Sequence, residues 1–70
     1  MPSEITFEVI QEEDGGYCAR AIGESIFTEG DTWEELRFMV RDAVKCHFDE
    51  GRAPSMIRLH LVREEVLEAA

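Results

Sequence analysis

Cations are scarce in this chain. Seven Lys and Arg stand against 16 Asp and Glu, a formal net charge of −9 over 70 residues. So acidic a surface repels phosphate backbones, which argues against direct nucleic-acid binding, and it draws a basic protein over long range. The plainer use of the same charge is to keep a small domain soluble. Cysteine is nearly as sparse. Cys18 and Cys46 allow one disulfide at most, and two reduced thiols in a cytoplasmic protein is the simpler reading. Long apolar runs are missing: Met1-Pro2-Ser3-Glu4 is a polar start, and no run approaches the roughly 20 residues of a membrane span. Neither a targeting segment nor a membrane is expected.

What is present suits one small globular domain, residues 1–70. With 44% apolar residues the chain is not disordered by composition. A domain this short hides only about 60% of its unfolded surface. With no staple evident, self-association is an expected source of further buried area, and the chain itself is the first expected partner.

The pattern along the chain is β-β-β-α-β. Residues 5–10 alternate, with Ile5, Phe7 and Val9 on one face and Thr6, Glu8 and Ile10 on the other, as in a half-buried strand. Asp14-Gly15-Gly16 supplies the positive φ angles of a hairpin turn. Residues 17–22 form the second strand, with Tyr17, Ala19 and Ala21 to one side. Residues 26–29 form a short third, with Ile26 and Thr28 inward and Phe27 and Glu29 outward. Thr32-Trp33-Glu34-Glu35 has the form of a capping box, in which the Thr32 hydroxyl takes the Glu35 N–H and the Glu35 carboxylate reaches back to the Thr32 N–H. The helix is expected from Trp33 to about Asp49, with Leu36, Val40, Ala43, Val44 and His47 on one stripe and Phe38 breaking the opposite, polar side. His47 then reads as a partly buried residue at the helix end. Gly51 is a fitting stop and Pro54 prevents resumption. Residues 56–62 form a fourth strand with Ile57, Leu59 and Leu61 inward. Residues 64–70 are a frayed turn or a tail.

The expected fold is therefore α+β: a three-stranded antiparallel meander, a crossover helix and a fourth strand parallel to its partner. One helix covers one face. The other displays Ile10, Cys18, Ile22, Phe27 and Val62 among charged residues, too apolar for plain solvent surface. Ile22, Phe27 and Val62 are the first candidates for self-association, with the edge of the fourth strand and Phe38 as the alternatives.

Little here points to a reaction. A two-metal nuclease needs several carboxylates converging on ions about 4 Å apart. Glu8, Asp14, Glu29, Asp31 and Asp42 are the residues to test, but with so many acids some must be neighbours by chance. Cys18, Cys46, His47 and His60 lack the paired short spacing of a zinc site. Cys46 and His47, adjacent on a helix, point about 100° apart and make a poor dyad. Gly15-Gly16 is followed by no helix N-terminus or Lys and is no phosphate loop. No metal, cofactor or catalytic residue is assigned.

Asp14-Gly15-Gly16-Tyr17-Cys18-Ala19, then Thr28-Glu29-Gly30-Asp31-Thr32, then Glu34-Glu35, together resemble the HicB-like antitoxin family over about residues 5–62. The resemblance implies a reduced RNase H-like fold and, for Asp14, Gly15, Gly16, Tyr17, Thr28, Gly30, Thr32 and Glu35, a structural part with no catalysis. It also implies a non-enzymatic protein-binding module of a toxin–antitoxin system, neutralising a small basic HicA-type RNA-cleaving toxin. Many members carry a further DNA-binding part. This chain ends soon after the fourth strand, so operator binding is not expected of it, and Ile22-Gly23-Glu24-Ser25 replaces the family's proline-rich approach to the third strand. The alternatives are a small metal-dependent nuclease on the same fold, and a solitary structural or ligand-sensing domain.

Overall fold

The computed structural model describes residues 3–69. Its elements follow the expected order: β1 (Glu4–Gln11), β2 (Tyr17–Ala21), β3 (Phe27–Gly30), α1 (Trp33–His47) and β4 (Met56–Val62). The strands form one sheet in the order β3-β2-β1-β4. β1 is antiparallel to β2 and parallel to β4, and β2 is antiparallel to β3. The two central strands are thus β1 and β2, and β3 and β4 are the edges.

Alternation sets the core. Ile5, Phe7 and Val9 of β1, Ala19 and Ala21 of β2, Ile26 and Thr28 at β3, and Leu36, Val40 and Val44 of α1 are all buried. Among the described residues Thr28 is the one buried polar residue. The two alanines keep β2 low under the helix, so Leu36 and Val40 reach the large side chains of β1. Tyr17 and Trp33 close one end of this core, edge to face with ring centroids 5.3 Å apart.

Two glycines of the motif stretch are fixed by geometry. Gly15 has φ +92°. The Gly15 N–H donates to the Glu12 carbonyl at 3.0 Å and the Glu12 N–H to the Gly16 carbonyl at 2.7 Å. This is a three-residue loop in which Gly15 takes the left-handed bulge position. Positive φ is therefore needed at Gly15 alone, not across the Asp14-Gly15-Gly16 run. Gly30 is needed for space. A Cβ there would stand 2.6 Å from the Leu36 nitrogen and 2.9 Å from the Leu36 Cα.

The cap is half of the expected box. The Glu35 N–H donates to the Thr32 hydroxyl at 3.1 Å, and Thr32 is extended at φ −126°, ψ 165°. Among the described residues the return bond to the Glu35 carboxylate is not formed; that exposed side chain stands among other acids, described below.

The helix ends earlier than expected, at His47. Phe48 turns extended (φ −101°, ψ 147°) and packs half-buried against the core. Gly51 (φ +80°) serves the following turn, closed by the Arg52 N–H to the Asp49 carbonyl at 2.9 Å. Three further expectations need correction. His47 is exposed, its Nε2 3.2 Å from Glu24 Oε2. β3 is displaced by one residue, to Phe27–Gly30, although Ile26 remains buried. Leu61 is 38% exposed, because α1 lies across β2 and β3 and leaves the far end of β4 uncovered. Residues 64–69 have no regular structure and are exposed.

Thr32→Ala is expected to cost about 1 kcal/mol, since a helix-end donor loses its acceptor. Gly30→Ala should cost about 1–3 kcal/mol or more by overpacking against backbone that has nowhere to move. Denaturant midpoints measure both. Wild-type midpoints in either variant would remove that contact from the account.

Candidate functional site

The densest gathering of the motif residues is at one corner of the molecule. The hairpin brings Glu12 and Asp14, the end of β3 brings Glu29 and Asp31, and the first helical turn brings Glu35. Together with Gly16, Tyr17 and Gly30 they line one shallow depression. Local chemistry fixes each wall. Asp14 Oδ1 accepts the Gly16 N–H at 2.9 Å, which holds the loop. The Tyr17 hydroxyl accepts from Gln11 Nε2 at 3.3 Å. Gly30 lets the helix start against the strand.

Five carboxylates here have no cation of the chain among their lining neighbours. Among the described residues the ion pairs lie elsewhere. Arg58 holds Glu4 through both oxygens and draws its pKa down, and His47 meets Glu24. Among the described residues no three His, Cys, Asp or Glu side chains are grouped to hold a metal ion. Of the acids tested for a two-metal site, Asp14, Glu29 and Asp31 come together, while Glu8 lies in mid-sheet opposite Arg20 and Asp42 lies on the outer side of α1. Glu12 and Glu35 were not singled out as site acids from the sequence. The hairpin register, which puts Gln11 opposite Tyr17 beside Gly30, is the signal that brings them in.

The open face of the sheet is less uniform than its composition suggests. One row across it runs Phe27, Arg20, Glu8, His60, and the next runs Glu29, Cys18, Ile10, Val62. Ile22 stands further along beside Thr6, whose carbonyl accepts the Ile22 N–H at 2.9 Å. Ile22 and Phe27 are 60% and 64% exposed. Val62 is on the same face but at the other edge, separated from Phe27 by the charged row. Phe38 is not on this face at all: it stands on the outer side of α1, 67% exposed, above a groove shared with Pro54 and Ile57. The self-association candidates therefore make no single patch.

Cys18 lies half-buried within the open face. Burial raises its thiol pKa, and Glu12 and Glu29 raise it further by disfavouring a thiolate beside them. Among the described residues no helix is long and apolar enough to cross a membrane.

Comparison with known proteins gives close relatives. A UPF0150 protein of Thermotoga maritima is 54% identical over 61 residues, covering 87% of this chain and 86% of that protein. A UPF0150 protein of Archaeoglobus fulgidus is 54% identical over 48 residues, covering 69% of this chain and 73% of that one. No family model matches the chain, and no solved structure matches it. At this identity and coverage, the chain belongs to the UPF0150 family.

The environment of Cys18 sets an order of reactivity. At mildly alkaline pH a thiol alkylating agent should label exposed Cys46 several-fold faster than Cys18, and the Cys18 rate should still be climbing above the usual thiol range of about 8.5. Mass spectrometry of the time course checks it. Equal rates would mean that Cys18 is not shielded by burial and its acidic neighbours.

Proposed function

We propose that this UPF0150 chain is a non-enzymatic protein-binding module of HicB-like antitoxin type, self-associating, whose acidic surface holds a small basic protein. The observation that carries this is the corner of five carboxylates, Glu12, Asp14, Glu29, Asp31 and Glu35, unaccompanied by a lining cation. Such a corner is favoured by a basic partner that neutralises it, and it would capture that partner quickly at low salt. The residues around it are those of the HicB-like resemblance, which supplies the class of partner: a basic HicA-type RNA-cleaving toxin. The cytoplasm, where such a toxin meets RNA, is the compartment that goes with this function. Asp14, Gly15, Gly16, Tyr17, Gly30 and Thr32 build the corner, and Thr28 anchors β3 beneath it. None of them is given a step in a reaction. The metal-dependent nuclease alternative has less in its favour, because these acids are spread around a rim.

Titration of a HicA-type toxin with the purified chain tests this. RNA cleavage should fall to background at a slight molar excess of the chain. Binding should weaken steeply with ionic strength, and the double charge reversal Glu12→Lys, Glu29→Lys should weaken it by about tenfold or more. Undiminished cleavage at high excess would refute the antitoxin reading. With Mg²⁺ or Mn²⁺ and no toxin, the chain should leave RNA and DNA intact. Cleavage lost on replacing Glu29 or Asp31 would instead establish the nuclease.

A further inference from the structure

The two edges of the sheet are unlike. β3 is four residues long and sits under α1, whereas β4 is seven residues long and free of Pro. The helix does not close over β4: Ile57 and Leu59 are half-buried and Leu61 is more exposed still. The Met56 N–H donates to the Ser3 carbonyl at 3.1 Å, and β4 then runs in unbroken register with β1. Successive residues of a strand turn their backbone groups to opposite sides. Met56, Arg58, His60 and Val62 therefore turn theirs toward β1. Ile57, Leu59 and Leu61 turn theirs outward, where the described residues offer no further strand. A seven-residue edge with unpaired backbone groups and an apolar helix-side face is a template for another strand.

Beside this edge is a groove between α1 and the 52–54 loop, lined by Phe38, Val44, Pro54 and Ile57, with the charged Arg41, Asp42 and Lys45. Beyond the far end of β4 the exposed tail runs past the β1–β2 hairpin, where Glu64 and Val66 border an open depression with Ile10, Glu12 and Gly15. Val66 and Leu67 are 95% and 76% exposed, in the acidic segment Glu64-Glu65-Val66-Leu67-Glu68. The radius of gyration is 14.1 Å, against about 11 Å for a compact domain of this length. The groove lies at the start of β4 and the tail leaves from its end, so a chain must reverse to reach its own groove.

We propose that two copies of this chain join by antiparallel pairing of their β4 edges about a two-fold axis at Leu59, each laying its tail, residues 63–69, toward the Phe38–Pro54 groove of the other. This rests on the self-association half of the reading above and is independent of the basic partner. A two-fold perpendicular to the sheet keeps both helix layers on one side, so like faces must meet and the register is restricted. Centring on Leu59, the middle of β4, pairs every outward backbone group of Ile57, Leu59 and Leu61. On the helix side Ile57 meets Leu61 and Leu59 meets its own copy, which continues the core across the axis. Arg58 meets His60 on the other side, with its charge already held by Glu4. Extended further, this register carries Arg63 to Leu67 of one copy past Ser55, Pro54, Ala53, Arg52 and Gly51 of the other. Arg63, Glu65 and Leu67 then fall on the helix side, toward the groove that holds Phe38, Arg41, Asp42 and Lys45. Glu65 is complementary in charge to Arg41 and Lys45, which outnumber the single Asp42 carboxylate of the groove. Four strands become a continuous eight, and a domain with little core gains buried area.

Sedimentation equilibrium with amide hydrogen exchange on the full chain tests this. The mass should rise from 8.0 kDa to twice that over about 1–500 μM. In the dimer the Ile57, Leu59 and Leu61 amides should be protected, and dilution should release them while Arg58 and His60 stay protected. Leu61→Lys should raise the dissociation constant about tenfold or more, and Leu67→Glu should raise it measurably, whereas Phe27→Glu should leave it unchanged. A mass of 8.0 kDa at every concentration would overturn self-association itself. A dimer with freely exchanging Ile57, Leu59 and Leu61 amides would overturn the β4 edge and leave self-association standing. An unaltered dimer in Leu67→Glu would overturn the seating of the tail. If Leu61→Lys fails to fold, the wild-type exchange pattern still decides the edge.

Discussion

Gly30 has no side chain, and the helix starts where that side chain would be. Backbone atoms of Glu35 and Leu36 stand within about van der Waals reach of the missing Cβ or inside it. This contact draws the first turn of α1 onto the end of β3, and the Thr32 cap follows from the same placement. Leu36 then falls over the alanines of β2 and is fully buried. Because α1 is seated on β3 and β2, one helix has no width left for the opposite edge, and β4 keeps its side chains half in water.

Two surfaces of opposite character result. Where strand, hairpin and helix meet at Gly30, the acids nearest in space come from three separate stretches of sequence, and no Arg or Lys lines their depression. At the other side of the helix Arg37, Arg41 and Lys45, with Asp42 among them, line two adjoining depressions along the start of β4. Three of the chain's seven basic residues are thus placed where the acidic tail of another copy would arrive. The overall charge of −9 conceals this division. It would let one molecule bind a copy of itself on one flank and a basic protein on the other without competition between them.

The fold was largely legible because its strongest signals are local. The alternation of Ile5, Phe7 and Val9, the Asp14-Gly15 turn and the Thr32 cap each act over a few residues, and element order and the core faces of β1 and β2 follow from them. The errors came where tertiary packing overrides local preference. Gly51 looks like a helix stop, yet Phe48 leaves the helix first to bury its ring beside the core. His47 falls on the apolar stripe by periodicity, but the stripe runs past the end of the sheet's cover and the imidazole meets Glu24 in water. Leu61 alternates correctly and is still exposed, because alternation reports the face and not whether a helix reaches it. The acidic corner was half visible: Asp14, Glu29 and Asp31 stand near recognisable turns, whereas Glu12 and Glu35 join them only through pairing register and helix placement.

The seat of the helix is the claim on which both surfaces depend. Nuclear Overhauser contacts in the free chain test it most directly. Strong contacts are expected from the Gly30 α-protons to the Leu36 amide and none from α1 side chains to the Leu61 methyls. Contacts from α1 to Leu61, with Gly30 and Leu36 apart, would place the helix across β4 and contradict it.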